Sequence, residues 1–204
     1  MNKGFNLIKS KALARGLAIG LIAAALAVMT LEFILDIVFE GFYFENLFAY
    51  FFELVFSGGL LYAIIVKNPP IIEICLVVLK VFEGSYYPLR ATQRIDAILN
   101  SNVSNFELAN HLLFALAALL LLIALIFFCI YKYKNLLKYW DIMKFLLLGA
   151  SLLTLVSTIL YLVFSLSNAG QDWEEILQPA AMSLLCIGMF MTCEYVEEET
   201  IYAK

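Results

Sequence analysis

The residues best suited to chemistry in this 204-residue chain are a few acids and a single histidine set in long apolar stretches. Glu32, Asp36 and Glu40 follow one another at four-residue intervals near the end of the first such stretch. On a helix with about 100° per residue, these steps keep the three side chains within about 80° of each other. Carboxylate oxygens bind hard cations, so the pattern indicates a cation site, although it is also typical of a wetted helix extension.

The depth of each acid in a membrane separates these interpretations. With Arg15 at the inner interface, the helical rise puts Glu32 about 25 Å further along the helix, near the edge of the apolar core. Glu53 lies about 9 Å inside its own apolar stretch, and an ionisable group at such a depth marks a functional site by default. We therefore predict a polar or ion-binding cluster made of Glu32, Asp36, Glu53, Asn110 and His111.

Small and hydroxyl residues at helical spacing predict helix-packing faces. The first apolar stretch carries two glycines and an alanine four residues apart, which permits close backbone contact within the chain or between copies. The same spacing also arises by chance in alanine-rich spans. A later stretch carries hydroxyls three and four residues apart, which predicts hydrogen bonds between helices or a polar pore lining. The residues concerned are Gly16, Gly20, Ala24, Ser151, Thr154 and Thr158.

Composition and run length predict the fold class. The chain is 64% hydrophobic, against about 45–50% in soluble domains, so lipid must cover much of its surface. A membrane-crossing helix needs about 20 apolar residues. We predict an all-α polytopic membrane bundle in one domain over residues 1–204, with transmembrane spans at about 12–39, 107–131, 143–166 and 176–194, a helical hairpin or two further spans at 47–84, and a surface helix at about 88–100. The first apolar run continues past a possible cleavage site at Ala27, so we expect it to be retained as a signal anchor.

Lysine and arginine positions predict the orientation. Cytoplasmic loops are enriched in these residues, and the basic segments here are the N-terminal tail and a predicted loop at 131–144, whereas segments 40–46 and 167–175 contain none. Both termini are therefore expected in the cytoplasm, with the protein in the cell membrane. Charged residues on that side could bind a cytosolic protein, and they are Lys132, Lys134, Lys138, Glu197, Glu198 and Glu199.

Several function classes lack support in the sequence. The net charge of −4 argues against nucleic-acid binding, and one histidine with no CxxC pair argues against a metal or cofactor site. No motif for hydrolysis or nucleotide binding occurs, so we expect no catalytic residues. Our leading prediction is a non-catalytic membrane subunit that forms homo-oligomers or anchors or senses for a cytosolic partner, for example in bacterial stress or antiviral defence. The alternative is a small-cation channel or transporter, and a lipid-acting enzyme ranks third.

Overall fold

The structure is a computed structural model that describes residues 8, 10–39, 44–99, 105–167 and 174–202. Within these ranges it does not describe the side chains at 39, 44–47, 86–99, 105–107, 111, 165, 167, 174–175 and 197–202. Six helices account for nearly all of the described chain. They are α1 (Lys11–Phe39), α2 (Phe44–Val66), α3 (Pro69–Leu99), α4 (Asn105–Lys134), α5 (Leu137–Ser167) and α6 (Glu174–Tyr202).

The all-α fold class is confirmed. Among the described residues, α1, α2, α4, α5 and α6 are long and apolar enough to cross a membrane, as in a multi-pass membrane protein. Helix α3 is the longest together with α5, at 31 residues, but it carries more charged side chains. Segment 47–84 forms two separate helices, α2 and the first half of α3, an arrangement that both predictions for this segment, a helical hairpin or two further spans, contain.

The six helices form a closed ring. Each helix packs against the next one in sequence, and α6 returns to pack against α1, which is the most extensive contact in the bundle. Successive helices are antiparallel, so one end of the ring holds the start of α1 and both short connections. The exposed lysines Lys67, Lys132, Lys134 and Lys138 also lie there, and we call it the basic end.

Local backbone chemistry makes the two short connections at the basic end. Lys67, with φ 57°, ends α2, and the next amide donates back to the Ala63 carbonyl, which satisfies the last turn. The Asn68 side chain then accepts from the Ile71 amide, and Pro69 begins α3 at the position where proline is best tolerated. Asn135, with φ 53°, ends α4 in the same left-handed conformation.

Two predicted segments differ from the structure. The loop predicted at 131–144 is mostly helical, because the Asn135 turn allows α4 to reach Lys134 and α5 to begin at Leu137. The surface helix predicted at 88–100 is not separate but is the last part of α3, which continues to Leu99. Pro88 lies inside this continuous helix.

A stripe of small side chains brings α1 and α6 together. The buried face of α1 is mainly alanine, and at Gly188 of α6 a Cβ atom would lie 2.6 Å from Cγ1 of Ile22. This approach is possible only without a side chain at Gly188. The buried stripe of α1 consists of Ala14, Ala18, Ile22, Ala25 and Met29, and it continues into Glu32. One continuous face of α1 therefore lines the bundle and delivers an acid to its interior.

Candidate functional site

Three glutamates from three helices lie inside the ring. Glu32 of α1 is 7% exposed, Glu53 of α2 is 5% exposed and Glu83 of α3 is 1% exposed. The negative charges of Glu53 and Glu32 both act on Glu83. The rings of Phe52 and Phe82 stack with centroids 5.0 Å apart, which sets Glu53 and Glu83 at the same level of the adjacent helices. We call these three residues the acidic cluster.

Glu83 is the least satisfied member of the acidic cluster. Neither of its carboxyl oxygens has a hydrogen-bond partner among the described residues, although both are buried. The hydroxyl of Ser57, one turn from Glu53 on the same face of α2, is also buried without a partner. A buried polar group without a partner is costly, and an ionised one more so, so each such group in a native fold calls for a chemical reason.

Tyr50 joins two acids of α1 at the edge of the acidic cluster. Its phenol oxygen lies 2.9 Å from Oε1 of Glu32 and 2.7 Å from Oδ2 of Asp36. A phenol has a single proton to donate. The Tyr50 hydroxyl therefore donates fully to only one of the two carboxyl groups at a time.

Lys80 lies one turn from Glu83 on α3 and is fully buried. Its ammonium lies 3.3 Å from the Met143 sulfur and 4.5 Å from the centre of the Phe128 ring. Within the part of the chain that the structure describes, it forms no ion pair. Residues three apart share one face of a helix, so this cation and the Glu83 carboxyl project into the same interior from the same helix.

A second buried charge network closes the basic end. The Lys144 ammonium of α5 donates to Oε1 of Glu194 of α6 at 2.8 Å and lies 3.3 Å from Asp141. The other oxygen of Glu194 accepts from the Ile8 amide at 3.1 Å, which fixes the residues before α1 against α6. The side chains of Lys144 and Glu194 are almost completely buried, so this network joins three parts of the chain away from water.

The structure brings some of the predicted polar residues together and separates others. Glu32, Asp36 and Glu53 lie in or beside the acidic cluster. Asn110 does not. Gly84 packs so closely on Leu122 that a Cβ at Gly84 would touch it, so the neighbouring Glu83 lies at the level of Leu122 on α4. Along α4, that level is about 12 residues, or about 18 Å, from Asn110. The Asn110 side chain instead accepts from the Ser157 hydroxyl at 3.2 Å. The side chain of His111 lies outside the described residues.

The predicted hydroxyl face contains one contact between helices. Ser151 of α5 and Ser183 of α6 are reciprocally bonded, since each hydroxyl lies 3.2 Å from the backbone carbonyl of the other residue. The hydroxyls of Thr154 and Thr158 donate to carbonyls of their own helix, as buried hydroxyls in helices commonly do. Ser151 therefore packs α5 against α6, while the two threonines only satisfy themselves.

The predicted small-residue face lies on the outside of the bundle. Gly16, Gly20 and Ala24 are exposed, and a Cβ atom at either glycine would meet nothing within 4 Å. About 200° separates Gly16 from the buried Ala14. These three residues therefore make no close crossing within the chain, and a crossing between copies stays a prediction.

The predicted partner surface at the basic end is only partly described. Lys132 pairs with Glu73 of α3 at 2.5 Å, and Lys134 is exposed. The Lys138 ammonium lies 4.9 Å from the centre of the Tyr139 ring. The side chains of Glu197, Glu198 and Glu199 lie outside the described residues.

Sequence reasoning missed three residues of the interior: Tyr50, Lys80 and Glu83. A usable signal existed for the last two, because they share a helical face with the apolar residues Ile72, Leu76 and Leu79, all of which are buried. When a helix buries its apolar face, a lysine and a glutamate on that face are buried with it. Tyr50 carried no such signal, since aromatic residues are common at membrane interfaces.

The acidic cluster consists of buried carboxyl groups. Among the described residues, no group of three or more histidine, cysteine, aspartate or glutamate side chains is arranged to hold a metal ion. Glu83 is the member of the cluster whose two carboxyl oxygens lack a hydrogen-bond donor among these residues. No protein-family model, curated protein or solved structure matches this chain.

Proposed function

We propose that this protein moves a small cation across the membrane by way of the acidic cluster. The observation that carries this proposal is Glu83, a fully buried carboxyl group without a hydrogen-bond donor, beside two further buried glutamates. Ionisable groups inside a membrane bundle are costly and typically mark ion or proton pathways. A purely structural bundle of this size would gain nothing by keeping three acids in its interior.

The distribution of polar groups along α2 supports the proposal. Tyr50, Glu53 and Ser57 occupy its buried face in the half away from the basic end. Toward the basic end the same face is apolar, with Leu60, Ala63 and Ile64. A polar site closed on one side by apolar packing is the arrangement expected of one state of an alternating-access protein. If the basic end faces the cytoplasm, the acidic cluster belongs to the outer half of the bundle.

Flux across liposomes tests this proposal. The protein is reconstituted, and H⁺, Na⁺ and K⁺ gradients are imposed one at a time with a membrane potential set by an ionophore. We expect protein-dependent flux of at least one of these cations, reduced tenfold or more in Glu53→Gln and in Glu83→Gln. Glu73→Gln is the matched control, because Glu73 is a partly exposed acid on the same helix as Glu83. No flux of any of the three cations, or flux that survives both variants, rejects the proposal.

A second candidate function is the non-catalytic membrane subunit that forms homo-oligomers and holds a cytosolic partner. The observation in its favour is the exposed face of Gly16, Gly20 and Ala24, which lets a helix of another copy approach closely. We expect Gly16→Ile with Gly20→Ile to convert an oligomer into a monomer in mild detergent, as measured by light scattering. Gly58→Ile is the control, because a Cβ there also meets nothing within 4 Å. A wild-type monomer removes this candidate.

A further inference from the structure

The described side chains of the acidic cluster do not form a metal-ion cage. Na⁺ and K⁺ require several oxygen ligands around one point, and no group of acid, histidine or cysteine side chains among the described residues forms such a cage. Within the same part of the chain, the two Glu83 oxygens are buried with no N–H or O–H group directed at them. A proton needs only one carboxyl oxygen, and it removes the charge whose burial is costly.

The contacts of Tyr50 bring a hydroxyl donor to two acids at the edge of the acidic cluster. Its phenol oxygen is within hydrogen-bond distance of both Glu32 and Asp36. One phenol proton cannot serve two ionised carboxylates fully. Glu32, one of these two acids, also belongs to the acidic cluster, and its charge acts on Glu83.

Among the described residues of α3, Lys80 is the buried cation nearest in sequence to Glu83. The acids are Glu53 from α2 and Glu32 from α1, and the thiol of Cys186 faces Glu83 from α6. From α4 the apolar Leu122 packs beside Gly84, next to Glu83. Lys80 is the buried cation on the same face of α3, and its present contacts are a sulfur atom and an aromatic ring, both weak partners.

From this geometry we propose that the cation of the acidic cluster is the proton, held on the Glu83 carboxyl, with Lys80 as its internal counter-charge. In the protonated state, Glu83 is a neutral acid and the Lys80 ammonium lies against Phe128 and Met143. When the proton leaves, the carboxyl becomes a carboxylate, and the flexible lysine side chain rotates toward it across one helical turn. The proton passes to a water molecule as the carboxyl O–H bond breaks, and no metal ion enters this step.

The proton assignment rests on the proposed function only in that the bound ion is also the transported ion. Binding of a proton by Glu83 can be measured separately, at equilibrium. The measurement is infrared spectroscopy of the purified full chain in detergent. We expect the carbonyl absorption of a protonated carboxylic acid at neutral pH, absent in Glu83→Gln and shifted in Glu83→Asp. Glu73→Gln should leave the absorption unchanged. A spectrum that is the same in wild type and Glu83→Gln overturns the proposal.

Two further variants keep the test decisive. If Glu83→Gln does not yield a monodisperse protein, Glu83→Asp decides, because an unshifted absorption in that variant also overturns the proposal. In Lys80→Met the absorption should persist to higher pH than in wild type, because no ammonium remains to offset the carboxylate. Lys132→Met is the control for removal of a lysine from the surface, and an equal effect of both lysine variants overturns the role of Lys80.

Flux and spectroscopy together separate the two proposals. Transport of Na⁺ or K⁺ without a Glu83-dependent carboxyl absorption contradicts the proton assignment and leaves the transport function standing. A Glu83-dependent absorption without flux of any cation supports proton binding at Glu83 and contradicts transport.

Discussion

Loss of the Lys144 ammonium should be the most destabilising single change at the basic end. In Lys144→Met, the Glu194 carboxylate keeps the Ile8 amide as its donor but loses its buried cation at 2.8 Å. Removing one partner of a buried ion pair leaves an uncompensated charge and costs about 3–5 kcal/mol. We therefore expect the free energy of unfolding to fall by that amount.

Paired variants separate the cost of an orphaned charge from the net value of the ion pair. The double variant Lys144→Met/Glu194→Met contains no orphaned carboxylate. Its free energy of unfolding should therefore exceed that of Lys144→Met by at least about 2 kcal/mol. Lys132→Met is the matched control, because its partner Glu73 is partly exposed, and such surface pairs contribute about 1 kcal/mol or less.

The assay is reversible unfolding in mild detergent micelles by titration with a denaturing detergent, followed by circular dichroism and, in a Trp173→Phe background, by Trp140 fluorescence. Trp140 is buried at the basic end beside Tyr131, with ring centroids 5.1 Å apart, so its emission reports local loosening. The reasoning is refuted if Lys144→Met lies within about 1 kcal/mol of wild type, or if the double variant loses the sum of the two single changes.

The remaining predictions use the same unfolding assay. Gly188→Ala should lower the free energy of unfolding by about 1–3 kcal/mol, because its Cβ would lie 2.6 Å from the fully buried Ile22. Gly16→Ala is the control and should be neutral or stabilising by up to about 1 kcal/mol, because a Cβ there meets nothing within 4 Å. Equal effects of the two variants would contradict the packing argument. Tyr50→Phe should cost about 1–3 kcal/mol, because it leaves two carboxyl groups of α1 without the phenol, and a change below about 0.5 kcal/mol would show that water replaces it.

Much of the fold follows from the sequence because spanning helices are determined by local properties. An apolar run of sufficient length must satisfy its backbone internally, so it is helical wherever it lies in the bundle. The break after Val66 follows from the Lys67–Pro70 segment, in which a left-handed residue, a capping asparagine and a proline end one helix and begin the next. The burial of Glu32 and Glu53 could also be expected, since both acids lie within apolar stretches.

What only the tertiary structure decided is the partner of each helical face. The glycine face of α1 looks like a packing surface in the sequence, yet the alanine face on the other side packs against α6, because only that face meets Gly188. Lys80 and Glu83 of α3 are buried at 0% and 1% exposure because the neighbouring helices pack around them, which the sequence of α3 does not show. Helical periodicity determines which residues share a face of a helix. The packing of α6 against α1, which closes the ring, determines which of those faces are buried inside the bundle.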